Sequence, residues 1–208
     1  MSKTPDHSAL EFFPPKITYR SLRESSRACE GCDLYKLATQ TVFGEGPRDA
    51  RVMMVGEQPG NDEDVDGHPF VGPAGRLLDK ALVDAGIDRE TVYMTNAVKH
   101  FKWKPAGKRR LHQKPSASEV AACKPWLKGE IEVVHPEIIV CLGATAAQSM
   151  LGGSFRVTKS RGEWFNYNGG RLIATIHPSA ILRTPGEDRE QEFRHFVADL
   201  TMVARAIA

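Results

Sequence analysis

Four short apolar runs, at 51–55, 92–97, 137–142 and 171–176, are separated by stretches with helical spacing, and this alternation is the strongest constraint on the fold. Strands that are apolar at consecutive positions need cover on both faces, which helical crossovers supply in a parallel sheet. The expected class is therefore α/β, a three-layer α/β/α arrangement around a central four-stranded parallel sheet. The helices bring their own signals. Ser116-Ala117-Ser118-Glu119 reads as a capping box ahead of a 3.6-period set, Val120, Cys123, Leu127, Ile131 and Val134. A second helix is predicted from about Ala144 to Leu151, stopped by Gly152-Gly153. A third opens at Thr184-Pro185-Gly186-Glu187 with Thr184 as N-cap, and carries Phe193, Phe196, Val197, Leu200, Val203 and Ile207 on one face.

A chain of 208 residues with 41% hydrophobic content can bury one substantial core, so residues 1–208 read as a single domain. Residues 1 to about 20 hold three prolines and mixed polarity, and are expected to form a loosely docked arm. The net charge of +2 is a small difference between 28 basic and 26 acidic residues, so clustering matters more than the total. No apolar run reaches ~18 residues and no charged-then-apolar leader is present, which argues against a membrane span or secretory signal. A cytoplasmic monomer with no membrane association and no obligate protein partner is expected. Of the four cysteines, two form Cys29-x-x-Cys32, a spacing that points to a metal or cluster in a reducing compartment rather than to disulfides. Spacing alone does not separate zinc from an iron-sulfur cluster.

The run Val52-Met53-Met54-Val55-Gly56 feeds a loop, Glu57-Gln58-Pro59-Gly60, that places two polar side chains just past a strand. Ligands of such sheets bind at the carboxyl ends of the strands. The loop continues through Asn61-Asp62-Glu63-Asp64 and His68-Pro69-Phe70-Val71-Gly72-Pro73-Ala74-Gly75, a length that is unusual unless it functions. Segments 98–115 and 177–184 also follow strands and converge on the same edge. The first of these is basic: Lys102, Lys104, Lys108, Arg109, Arg110 and Lys114 interleave with Phe101 and Trp103, the pattern of a clamp on a nucleic-acid backbone. Composition alone makes His112 one more member of that phosphate-binding loop.

Taken together, these motifs resemble the uracil-DNA glycosylase superfamily from about Cys29 to the C-terminal helix. Gly56-Glu57-x-Pro59-Gly60 with Pro69-Phe70-Val71-Gly72-Pro73-Ala74-Gly75 is similar to the first motif of the iron-sulfur (family 4) enzymes. Asn96 ends the second strand, where the family places its uracil-reading asparagine, and His177-Pro178-Ser179 looks like the closing motif. The resemblance implies excision of uracil from DNA, with single strands accepted. Phe70 would stack on the flipped base, the Asn96 amide would pair with uracil N3 and O4, and His177 would sit near O2, where negative charge gathers as the base leaves. Gly56 and Asp62 would line the nucleotide site, while Lys108, Arg109, Arg110 and Ser179 would contact DNA. Cys29, Cys32, Cys123 and Cys141 would ligate a 4Fe-4S cluster of structural role, with zinc as the alternative.

Two features depart from ordinary family 4 enzymes: Gln58 stands where they have a small residue, and Gly107-Lys108-Arg109-Arg110-Leu111-His112 is an insertion. Both resemble the uracil-DNA cross-linking (UdgX) subgroup, and that likeness makes His112 the nucleophile that captures the abasic sugar covalently in a single turnover. A neutral imidazole, with an ordinary pKa of ~6.5, is far more nucleophilic than water and can capture an oxocarbenium-like carbon. Glu57 is expected to accept the other N–H of His112 and orient the ring. Gln58 either contacts the flipped nucleotide or holds the loop. Two other readings stay open: a turnover glycosylase in which Glu57 or Asp62 positions water, and a non-catalytic iron-sulfur protein that binds single-stranded DNA.

Overall fold

Successive side chains of the central strands leave the sheet on opposite faces, and both faces are apolar. The computed structural model describes residues 8–208. In chain order, α1 (Tyr19–Ser26) precedes β1 (Val52–Gly56), α2 (Asn61–Asp66), α3 (Pro73–Ala85) and β2 (Val92–Asn96). A small hairpin, β3 (Trp103–Ala106) and β4 (Arg109–His112), leads into α4 (Ala117–Val134), β5 (Ile138–Leu142), α5 (Ala144–Leu151) and α6 (Val157–Ser160). The chain closes with β6 (Trp164–Tyr167), β7 (Gly170–Thr175), α7 (Pro178–Arg183) and α8 (Gly186–Ile207).

The main sheet runs in the order β2-β1-β5-β7-β6. Its first four strands are parallel, as expected, whereas β6 pairs antiparallel with β7 and adds a fifth, edge strand. On one face Val52, Met54, Met94, Val140 and Ile173 pack against Leu78 and Leu82 of α3 and Phe196, Leu200 and Val203 of α8. On the other, Met53, Val55, Tyr93, Ile139 and Leu172 pack against Leu127 of α4 and Ala146 and Ala147 of α5. A third apolar cluster joins the amino-terminal segment to α4 through Ala9, Leu22, Cys29, Leu34, Phe43, Val98, Cys123 and Trp126.

The expected loose arm is packed from Ser8 onward; its first seven residues lie outside the described part. Ser8 and Glu11 form a capping box on a short 3₁₀ turn, Ala9 is fully buried, and Phe13 stacks on Trp126 at 4.7 Å. The capping box on α4 forms as read: Glu119 N–H donates to Ser116 Oγ, and Ser116 N–H donates to the Glu119 carboxylate at 2.6 Å. Thr184, however, does not cap α8. Its hydroxyl and N–H both donate back to Ala180 O, closing α7, and Pro185 takes the cap position instead. Among the described residues no helix is long and apolar enough to cross a membrane.

One buried polar node ties α4 to β2. Lys99 Nζ donates to Glu130 Oε2 at 2.5 Å, Thr95 Oγ1 at 2.6 Å and Asn96 O at 2.7 Å. Glu130 also accepts from Gly44 N–H, Tyr93 OH and Thr95 Oγ1. Both charged side chains are essentially inaccessible. Removing one partner of such a pair strands the other charge in a medium that cannot solvate it. Glu130→Gln is therefore expected to lower the unfolding free energy by about 3–5 kcal/mol, read from urea denaturation. A loss below about 1 kcal/mol would mean that Lys99 finds another counter-charge.

Candidate active site at the carboxyl edge of the sheet

Parallel register brings the ends of β1, β2, β5 and β7 to one edge, with Gly56 opposite Asn96 and Leu142 opposite Thr175. Pairing continues past β1 and β2: Ala97 N–H donates to Gly56 O at 2.9 Å and Val98 N–H to Glu57 O at 3.0 Å, so the backbone of Glu57 is fixed. Gly56 has a steric reason. A Cβ there would collide with Asn96 Oδ1 and would come within 2.7 Å of the Phe70 ring. Asn96 and Phe70 are buried, and Phe70 holds a left-handed backbone (φ 60°) that bulky side chains rarely adopt, a form of strain that gathers at functional sites.

Within segment 98–115 the chain forms the β3–β4 hairpin, which turns at Gly107 (φ 60°) and delivers His112 opposite Trp103. Gln58 fastens it. Its Oε1 accepts Lys102 N–H at 3.0 Å, and its Nε2 reaches Lys102 O at 3.3 Å, Gln113 O at 2.9 Å and His112 Nε2 at 2.8 Å. The backbone partners fix which end of the amide is which, so the atom facing His112 is a donor. His112 Nε2 is then an acceptor, and the neutral ring carries its proton on Nδ1. Burial lowers the His112 pKa from its ordinary value; Glu57 opposes the shift and Arg183 adds to it.

Glu57 does not take the other N–H of His112 as expected. Its Oε1 lies 3.6 Å from the same nitrogen, Nε2, beyond hydrogen-bond range. Its Oε2 instead accepts a short hydrogen bond from Thr145 Oγ1 at the start of α5. Thr145 went unnoticed in the sequence because it lies 88 residues away in a plain Ala-Thr-Ala-Ala helix start.

His177 caps α7, and Ser179 N–H donates to its Nδ1 at 3.1 Å with Ser179 Oγ at 2.8 Å. Nδ1 is thus an acceptor, which leaves Nε2–H as the ring's donor. Burial lowers the His177 pKa to about 4, helped by the charge of Arg183 and by His112 when that ring is protonated, so the His177 ring stays neutral at physiological pH. The rings of Phe70 and His177 lie 6.4 Å apart and 27° from parallel. Ser179, expected on DNA, is spent on holding this tautomer.

The basic residues separate into two groups. Lys108 and Arg109 are exposed at the hairpin tip, as a backbone contact requires. Arg110 turns inward: it donates to Asp64 Oδ2 at 2.5 Å and Asn61 Oδ1 at 2.8 Å, and covers the rings of Phe101 and Trp103. The stretch expected to be loop at 61–66 is α2, which presents Asp64 to this pairing. Asp62 bonds only its neighbour Asn61 among the described contacts, whereas Glu63 is buried and accepts Gly72 N–H at 3.1 Å, bracing the loop.

Three cysteines converge. Cys29 and Cys123 share the third apolar cluster with Cys32 against it, and the charge of each would act on the others. Burial pushes the Cys123 thiol up to about 12. Two donors face the sulfurs at 3.2 Å: Trp126 Nε1–H on Cys29 and Lys99 N–H on Cys123. Among the described residues no three His, Cys, Asp or Glu side chains stand close enough to share one metal ion. Cys141, expected as the fourth ligand, lies inside β5 on the α4–α5 face, packed with Met53, Val55, Ala146 and Leu172. Burial alone raises its pKa, and no other cysteine acts on it.

One surface concavity lies elsewhere, at the amino ends of β5 and β7, lined by Ile131, His135, Tyr167 and Arg171. It holds none of the side chains just described. The comparisons agree with the chemistry of the carboxyl edge. The family model for the Uracil DNA glycosylase superfamily matches residues 43–201. A Type-4 uracil-DNA glycosylase of Thermotoga maritima is 41% identical over 178 residues, covering 85% of this chain and 87% of that one. A Type-4 enzyme of Archaeoglobus fulgidus is 37% identical over 177 residues, covering 80% of this chain and 85% of that one. With most of its length matched, and with Gly56, Phe70, Asn96 and His177 gathered at one sheet edge, the chain belongs to the uracil-DNA glycosylase superfamily.

Proposed function

We propose that this protein excises uracil from DNA and is then joined covalently to the abasic sugar through His112. The observation that carries the second half is the Gln58–His112 contact at 2.8 Å, which holds a neutral imidazole beside Glu57. In the first step Phe70 receives the flipped base, the Asn96 amide reads its edge, and neutral His177 donates from Nε2 to the oxygen that gains charge. The glycosidic electron pair leaves with uracil, and the ionised Glu57, aimed by Thr145, stabilises the cationic sugar. In the second step the Nε2 lone pair leaves Gln58 and forms a bond to C1′. The resulting imidazolium loses its Nδ1 proton to solvent, and the neutral N-linked imidazole is a poor leaving group without an acid.

Cys29, Cys32 and Cys123 fit the thiolate part of a 4Fe-4S cluster. Each cluster thiolate binds a different iron, so the sulfurs stand farther apart than ligands sharing a single zinc ion. The N–H donors on Cys29 and Cys123 suit sulfurs that carry charge. When bound, the cluster would tie the amino-terminal segment to α4; no step of the chemistry needs it.

Turnover hydrolysis is the competing reading, favoured by the names of the Type-4 relatives. A uracil-containing oligonucleotide run with the protein on a denaturing gel separates the two. A slow band is expected that His112→Ala abolishes; free uracil in molar excess over protein, with no such band, would sink the covalent reading.

The charge environment of His112 gives a second expectation. Its NMR titration midpoint should fall below the ordinary ~6.5, so the neutral, nucleophilic ring predominates near pH 7 and is lost as pH drops through the lowered pKa. Glu57→Gln removes a charge that raises this pKa and should shift the midpoint further down, while Arg183→Ala should shift it up. Shifts of the opposite sign would contradict the arrangement. On the DNA side, Arg109→Ala should reduce the log–log salt slope of binding by about 0.7–0.9 and leave base preference unchanged. Arg110→Ala should leave that slope unchanged and slow capture, because it frees the hairpin.

A further inference from the structure

Thr175 closes β7 with a hydroxyl at a position where a buried strand would ordinarily take valine. It is fully buried and, by the two-residue period of a strand, shares its face with Ile173, which packs on α8. We propose that Thr175, held by Asp199 and Arg161, is a positioning residue for His177 and so for the departure of uracil. This rests on the role given to His177 above.

The Thr175 hydroxyl donates to Asp199 Oδ2 on α8 at 2.5 Å. The same oxygen accepts Arg161 Nε–H at 3.0 Å and Nη2–H at 2.9 Å. Arg161 Nη1–H also reaches Glu192 Oε2, farther back along α8, at 3.0 Å. The next residue, Gly162, donates its N–H to Ala174 O at 3.0 Å. Segment 161–162 and α8 therefore grip the last two residues of β7 by backbone and side chain together.

From there the fixation passes to the imidazole. Thr175 O accepts Gly143 N–H at 2.9 Å, and Gly143 sits so close to His177 that a Cβ on it would stand 2.9 Å from His177 Cβ. Gly143 also holds φ 91°, a conformation open to glycine. His177 follows Thr175 by two residues, so it is joined to this anchor both along the chain and through Gly143. The effect is one of placement. Asp199 is paired with Arg161, and the charges that act on the His177 ring are those of Arg183 and His112. What the anchor sets is where Nε2–H points, and such a donor must lie within about 2.7–3.1 Å of the oxygen that gains charge.

The test uses the full chain and single-stranded oligonucleotides bearing one uracil or one 5-fluorouracil, with base release measured in a single turnover. Fluorine withdraws charge from the departing base, so that base needs less help at its oxygen. Thr175→Val removes the hydroxyl and leaves Asp199 paired with Arg161, so no charge is stranded. It should release uracil about tenfold more slowly, a part of the ~10²–10³ that losing a whole oxyanion donor costs, with a clearly smaller loss on 5-fluorouracil. Thr175→Ser, which keeps the hydroxyl, should recover most of the rate. In a His177→Ala background Thr175→Val should cost nothing further, because its effect runs through that ring. Equal losses on the two bases, an undiminished rate in Thr175→Val, or a further loss without His177 would overturn the assignment. If Thr175→Val does not fold, Asp199→Asn decides by the same comparison of bases, since it keeps the shape and weakens the anchor. A wild type that releases no uracil would instead end the excision reading itself, and this proposal with it.

Discussion

The side-chain amide of Gln58 is the junction on which the site's geometry depends. Its carbonyl oxygen accepts Lys102 N–H at the root of the hairpin, and its two hydrogens serve Gln113 O and His112 Nε2 at the return, with Lys102 O a longer, shared contact at 3.3 Å. The hairpin's own strands give it little internal support. Its strands are four residues each and mostly exposed, and such a pair is marginal alone in water. Backbone amides from two separate turns hold the Gln58 side chain in one orientation, and that orientation decides which nitrogen of His112 is the acceptor. A residue that reads as a loop substitution thus sets a protonation state.

A second support enters from below. Arg110 is drawn out of the basic run by Asp64, which is buried and also accepts Thr39 N–H. The hairpin is therefore clamped to α2 on one side and to the 37–41 segment on the other, where Trp103 Nε1–H donates to Leu37 O. The 37–41 segment follows directly on Cys32 and Leu34. The packing of the cysteine-bearing segment and the position of His112 are parts of one contiguous structure, which would give the proposed cluster a physical route to influence the site without taking part in the chemistry.

Much of this was legible beforehand, for identifiable reasons. The four parallel strands are apolar on both faces, and no other arrangement buries Val52-Met53-Met54-Val55 and Ile138-Ile139-Val140 together. The Ser116 capping box is local, so its signal is local. The edge strand β6 was missed although Asn168-Gly169, both at positive φ, is a strong two-residue hairpin turn between Tyr167 and Gly170. The β3–β4 hairpin offered no such chance, since Lys104, Pro105, Arg109 and Arg110 carry no apolar alternation. Thr145 on Glu57 and Asp64 on Arg110 are contacts across 88 and 46 residues, and nothing in either short segment announces its partner. Cys141 misled for the opposite reason. The likeness of the four-cysteine spacing to the family 4 pattern suggested four ligands, whereas its place at the end of Ile138-Ile139-Val140 made it a core residue.

The proposed capture also explains why one carboxylate can serve two outcomes. Glu57 Oε1 and His112 Nε2 are 3.6 Å apart, too close for a water molecule to stand in line between them. A hydrolytic water activated by Glu57 would have to displace the imidazole, and the imidazole is held by Gln58, not by Glu57. The stronger nucleophile therefore occupies the approach that the weaker one needs. Thr145 holds one oxygen of Glu57, and in the proposed scheme this carboxylate favours charge build-up on the sugar whichever nucleophile arrives. On this proposal, what separates trapping from turnover is the hairpin with Gln58, and the roles proposed for Phe70, Asn96 and His177 are common to both.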